Sequence, residues 1–132
     1  MARNRSIYLP IDASFCDTAA TRRVMSKYGY QGFYAYARLL CMMLSEPTGK
    51  LPVELEEDWK DLAEQFKMSV KDAKELIATL QHYDAVGIEE GKLYSLDIIE
   101  SMTARMEYED ARRKGAYAAA EAKRQKKKLA EN

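Results

Sequence analysis

Apolar residues recur at helical period through the middle of the chain, where Trp59, Leu62, Ala63 and Phe66 fall at i, i+3, i+4 and i+7. They predict a helix. Lys67 and Met68 interrupt the stripe. Ser69, with Asp72 three residues on, then carries a variant of the capping box, in which hydroxyl and carboxylate each satisfy an orphan amide. A second helix is therefore expected from Val70. Val70, Ala73, Ile77 and Leu80 share one of its faces, with Leu76 and Tyr83 beside them. After Asp84 the pattern changes to short runs around Gly87 and Gly91, so residues 86–88 and 93–96 are expected to pair as strands across residues 89–92. Helix, tight turn, helix and hairpin over residues 61–96 are the order of a winged helix-turn-helix. The fold class expected is mainly α with a small β-hairpin.

The flanking pattern extends this domain in both directions. Residues 7–11, broken by Pro10, read as a short extended segment suited to a sheet edge or the approach to a turn. Asp17 or Thr18 can cap a helix through Thr21, Arg22, Val24, Met25 and Tyr28, and Gly29 is placed to end it with positive φ. Residues 31–45 follow as a helix in which Phe33, Tyr34, Tyr36, Leu39, Leu40, Cys41, Met42, Met43 and Leu44 leave almost no polar face, which predicts the buried centre of the domain. Residues 46–52, EPTGKLP, read as a loop. From Asp97 onward, Ile98, Ile99, Met102 and Met106 continue an apolar stripe for about two turns. Beyond Asp110 bulky apolar residues are scarce, so a helix there rests on propensity rather than packing. The expected organisation is a winged-helix domain over residues 1–102 and a basic, Ala/Lys/Arg-rich tail over 103–132, helical or partly disordered.

A chain of 132 residues suits one domain with a modest core, and 47% hydrophobic with 32% charged residues is an ordinary soluble composition. The balance of 21 basic and 21 acidic side chains conceals an uneven distribution. Residues 1–30 carry 5 Lys/Arg and 2 Asp/Glu (+3), residues 31–102 carry 7 and 14 (−7), and residues 103–132 carry 9 and 5 (+4). The basic ends are thus the candidates for an anionic partner. Cys16 and Cys41 form no CxxC, and the single His82 has no second ligand at metal spacing, so neither metal nor cofactor is expected. No nucleophile set, phosphate loop or dinucleotide fingerprint occurs, which argues against an enzyme. The N-terminal residues lack the apolar core of a signal peptide, and the longest uncharged apolar run, residues 39–44, is too short to span a bilayer. A cytoplasmic location with reduced thiols and no membrane partner is expected.

With these elements in place, the sequence resembles the N-terminal domain of phage and prophage replisome organisers, a winged-helix, DnaD-like replication-initiation group. The resemblance covers roughly residues 7–102. It is carried by the short extended segment ahead of a helix, the Tyr28-Gly29-Tyr30-Gln31-Gly32-Phe33 junction, the Leu39-Leu40 helix, Leu62-Ala63, and the final strand over residues 91–95. It implies a DNA-associated role in phage replication. Many members of that group carry further domains that this chain lacks, which implies an accessory role.

The candidate contacts with nucleic acid lie in three places. On the second helix of the motif, Lys71, Lys74, Thr79 and Gln81 could reach into a major groove. Asp72 and Glu75 offset the two lysines, however, and the Arg and Asn typical of base readout are missing, which suits a structural helix in a protein-binding domain as well. Lys92 would present a cation from the wing. In the tail, Arg105, Arg112, Lys123 and Lys127 fall within about 60° of one another on a helix, a stripe about 33 Å long, joined by Arg113 and Arg124. Phosphate contact and a merely solvated helix both fit that composition. DNA binding would be weak, salt-dependent and carried by charge, with replication proteins as further partners and an oligomer possible. The alternative is an adaptor or dimerisation module that makes no DNA contact.

Four other features favour structural explanations. Gly29-Tyr30-Gln31-Gly32 matches the GxxG form of a nucleic-acid clamp but lacks its basic centre, and a helix stop with a tight turn explains both glycines. Tyr28, Tyr30, Tyr34 and Tyr36 could stack bases, yet their helical spacing suits core and rim. Cys41 is expected as a small buried hydrophobe. Asp12 and Asp17 with the acidic run Glu54, Glu56, Glu57, Asp58 and Asp61 could suggest a metal-dependent nuclease, but the run better suits the positive end of a helix dipole.

Overall fold

The computed structural model describes residues 13–131, with no account of the Glu131 side chain. The expected extended segment at 7–11 and Asp12 lie outside the described residues. Five helices and a small three-stranded antiparallel sheet make up the described fold. A 3-10 turn at Phe15–Asp17 leads into α1 (Ala19–Tyr28), where Thr18 rather than Asp17 is the cap, its hydroxyl accepting from the Thr21 amide at 3.2 Å. Gly29 then turns the chain at φ 64° and α2 (Tyr30–Ser45) begins at once. Gly32 lies where α1 and α2 meet, so close that a Cβ would run into the Val24 carbonyl. The two glycines of the GxxG therefore serve a helix stop and a helix crossing.

α2 buries one face and not its whole circumference, which corrects the expectation of a wholly buried helix. Ala35, Tyr36, Leu39, Leu40, Met43 and Leu44 are buried, while Tyr30 and Tyr34 are exposed. Cys41 is half-buried, because it faces the margin of that apolar stripe and not its centre. The loop after α2 is also shorter than expected. Leu51–Pro52 form strand β1, antiparallel to β3 (Lys92–Tyr94), which pairs on its other side with β2 (Gly87–Glu89). The strand order is β1-β3-β2. A two-residue segment containing proline carries no strand signal of its own; pairing with β3 supplies it.

α3 (Glu56–Phe66) and α4 (Val70–His82) follow the expected pattern closely. The Asp58 carboxylate accepts from the Leu55 amide at 2.9 Å, and Glu56, Glu57 and Asp58 fill the first turn of α3, where negative charge is favourable. Lys67 ends α3 in the left-handed region at φ 58°. Ser69 caps α4 by accepting from the Asp72 amide at 3.1 Å. Among the described residues no bond returns from the Asp72 carboxylate, so only the hydroxyl half of the expected box is present. The hairpin is displaced from the expected strands. Glu89 pairs with Lys92, leaving Glu90 and Gly91 as a two-residue turn with φ of 53° and 73°, the signs a type I′ connection requires. β3 stops at Tyr94 because α5 (Leu96–Glu131) starts before the expected Asp97.

The chain divides into two compact units, Met1–Glu100 and Ser101–Asn132, with α5 crossing the division. In the first unit Val24, Leu39, Met43, Phe66, Leu76, Leu80, Leu93 and Ile98 form the fully enclosed core. In the second, the helix continues without interruption to Glu131, and every residue from 106 to 130 is exposed.

Candidate nucleic-acid interface

The α3–α4 pair is fixed by polar ties to α2 as well as by its core face. The Gln31 amide donates to the carbonyl of Lys67 in the turn between α3 and α4. Arg38 donates from Nε and Nη2 to the side-chain Oε1 of Gln65 at 3.0 and 2.6 Å. With Ala73, Leu76, Ile77 and Leu80 facing inward, α4 presents Lys71, Lys74, Glu75, Ala78, Gln81 and His82 to solvent. Lys71 and Gln81 are exposed on this face. Lys74 turns toward α3, 3.5 Å from the Glu56 carboxylate and 5.6 Å from the centre of the Trp59 ring. Both members of that ion pair are about half exposed, so it is a weak tether, yet it spends the lysine's charge inside the protein.

The hairpin is more acidic than its single lysine suggests. Lys92 is exposed at the start of β3, but Glu89 is its direct cross-strand partner, Glu90 occupies the turn, and Glu54 lies against Gly91. Three acidic residues thus share the hairpin with one cation. Phosphate contact through Lys92 has to overcome that local field.

A further basic surface among the described residues of the first unit was not among the sequence-predicted contacts. An open groove of about 430 Å³ runs between α1 and α4, lined by Arg23, Lys27, Glu75, Ala78, Thr79, His82 and Tyr83. The Tyr28 hydroxyl donates to Glu75 Oε2 at 3.3 Å. Burial, followed by the charge of Glu75, holds the Tyr28 phenol above the ordinary tyrosine range. Arg23 and Lys27 fall one turn apart on an amphipathic helix, which was visible in the spacing, but only the packing of α1 on α4 brings them beside His82.

The tyrosines divide as core and rim. Tyr36 is buried against Phe15, ring centres 5.1 Å apart, and burial with the nearby Asp97 pushes its phenol up to about 12. Tyr30 and Tyr34 are exposed rim residues. His82 is exposed, its ring 5.0 Å from that of Tyr83. Among the described residues no group of His, Cys, Asp or Glu could hold a metal ion, and none of the helices is long and apolar enough to cross a membrane.

In the second unit the expected cations line a continuous helix. Arg105 is half-buried, while Arg112, Lys123 and Lys127 are exposed. Arg112 lies 6.0 Å from the centre of the Tyr108 ring. Arg113 pairs with Asp110 at 3.7 Å and Arg124 with Glu121 at 3.8 Å, both i,i+3 contacts between exposed groups. Among the described residues, Lys123 and Lys127 are in neither of these pairs. No protein-family model matches the chain, and no curated protein or solved structure is significantly similar to it.

Proposed function

We propose that residues 1–102 are a winged helix-turn-helix domain of a non-enzymatic accessory protein in phage-type replication initiation, which associates with DNA mainly by charge in the cytoplasm. The observation that carries this reading is the succession of α2, β1, α3, a two-residue turn with its cap, α4 and the β2–β3 hairpin, with β1 closing on the hairpin through β3. That succession supports the winged reading, in which the second helix of the motif is held outward. The resemblance to replisome organisers supplies the biological setting. Lys71 and Gln81 on α4, and Arg105, Arg112, Lys123 and Lys127 on α5, are the proposed phosphate contacts, and Lys74, Lys92, Arg113 and Arg124 are secondary because carboxylates already face them.

Fluorescence anisotropy of labelled duplex and single-stranded DNA across a salt series tests this. Binding should weaken with salt at a slope of about −0.9 in log K per duplex phosphate contacted. Changing Arg112, Lys123 and Lys127 together to Gln should flatten the duplex slope by about 2.7 units if all three are contacts. Absence of binding to either nucleic acid at low salt and any attainable concentration defeats the reading.

A second reading is an adaptor without DNA contact. It is favoured by the acidic α3, with Glu56, Glu57 and Asp58 in its first turn, and by an α4 whose Lys71 and Lys74 are balanced by Asp72 and Glu75. Recovery of a replication protein after nuclease digestion, with no DNA binding by the purified chain, would establish this reading over the first.

A further inference from the structure

We infer that the groove between α1 and α4 seats two consecutive phosphates of a nucleic-acid strand, with Arg23 and Lys27 as the cations that hold them. The inference rests on the DNA-associated reading and names a contact surface that reading does not contain. Arg23 and Lys27 are both exposed, and among the described residues neither has a carboxylate partner. Several other helical cations are satisfied within the protein: Lys74 by Glu56, Arg38 by Gln65, Arg113 by Asp110 and Arg124 by Glu121. Like charges at i and i+4 on a helix repel, and an anion between them turns that repulsion into attraction to a shared partner.

One helical turn separates the two Cα atoms by about 6 Å along the helix axis, and phosphates on one strand of a duplex advance about 3.4 Å per step along the duplex axis, a difference that the long, rotatable Arg and Lys side chains take up. The groove is open along the exposed face of α4, which admits a strand rather than enclosing a small anion. His82, at the end of α4, adds a ring nitrogen donor on the far wall. Among the described residues that line the groove Glu75 is the one carboxylate, and the Tyr28 hydroxyl donates to one of its oxygens. Its charge opposes a phosphate, which makes it a restraint on affinity that substitution can release.

The test uses the full chain and a short labelled duplex over a range of salt. Arg23→Ala with Lys27→Ala should lower affinity and flatten the slope of log K against log salt by about 1.8 units, two contacts at about 0.9 each. Lys50→Ala with Lys60→Ala removes the same charge elsewhere in the unit and should leave the slope unchanged. Glu75→Gln should raise affinity. Thermal melting confirms that each variant is folded, as expected for exposed Arg23 and Lys27 with no internal partner. If the wild type binds and the Arg23/Lys27 variant keeps its slope, or if the Lys50/Lys60 variant loses as much, the groove is not a contact and the inference is overturned while the DNA-associated reading stands. If the wild type does not bind, both fall together.

Discussion

The two units of this chain use the same secondary structure for opposite reasons. In Met1–Glu100 helices exist because their apolar faces are buried: α1 meets α2 at Gly32, and Leu39 and Met43 of α2, Phe66 of α3 and Ala73, Leu76 and Leu80 of α4 are all enclosed. Thr21 and Ser95 are the buried polar residues there, and among the described residues no buried side-chain nitrogen or oxygen lacks a partner. In Ser101–Asn132 the helix has no such face. Tyr108, Tyr117 and Leu129 are 63%, 73% and 76% exposed, and its ion pairs are local i,i+3 contacts. Alanine, lysine, arginine and glutamate hold the backbone by propensity. A substitution should therefore be judged by packing in the first unit and by propensity and charge in the second.

The largest effect that comparison predicts comes from placing a charge in the core. Leu39 is fully buried, so Leu39→Asp leaves an unpaired carboxylate without water and should abolish cooperative folding, since the penalty of several kcal/mol rivals a typical total stability of about 5–15 kcal/mol. Ala118→Asp, on the exposed helix, should leave the melting midpoint of the first unit unchanged. Circular dichroism melts of both variants check the pair, and a cooperative, native-like melt of Leu39→Asp would break the contrast.

A smaller effect isolates packing from propensity. Gly32→Ala should gain about 1 kcal/mol of helix propensity, yet its new methyl group meets the Val24 carbonyl, and forcing α1 from α2 costs about 1–3 kcal/mol. The net expectation is a lower melting midpoint. A higher midpoint would show that the crossing relaxes freely and that Gly32 is not needed for close approach.

The contrast also explains which parts of the molecule were readable in advance. Local chemistry announced itself: Thr18 and Ser69 are caps with hydroxyls, Gly29 is a stop with positive φ, and the Leu62, Ala63 and Phe66 stripe falls on the buried face of α3. Features created by tertiary pairing did not. β1 is two residues long and contains Pro52, so its strand character comes wholly from Leu51 facing Leu93. The hairpin slipped from its expected place because turn geometry at Glu90 and Gly91, and not the apolar run, sets the register. The same holds for the candidate interface. Lys71 and Gln81 could be placed on an outward face from periodicity, whereas the diversion of Lys74 to Glu56 and Trp59 needed the α3–α4 crossing, and the groove of Arg23, Lys27 and His82 needed α1 against α4.

The smallest effect sharpens the comparison from the other side, with the same substitution at a glycine of the second unit. Gly115 lies within α5, and a Cβ built there meets nothing within 4 Å, so Gly115→Ala adds no clash. Glycine costs about 0.8–1.0 kcal/mol relative to alanine inside a helix, because its backbone has more freedom to lose. Gly115→Ala should therefore strengthen the helix where Gly32→Ala weakens the domain. The readout differs as well. Since residues 106–130 are exposed, the gain should raise the far-ultraviolet helical signal and slow amide hydrogen exchange around Gly115, while the cooperative melting midpoint of the first unit stays where it was. If that midpoint rises together with the helical signal, residues beyond Ser101 melt with the core, and the separation of a packed unit from a helix held by propensity is wrong.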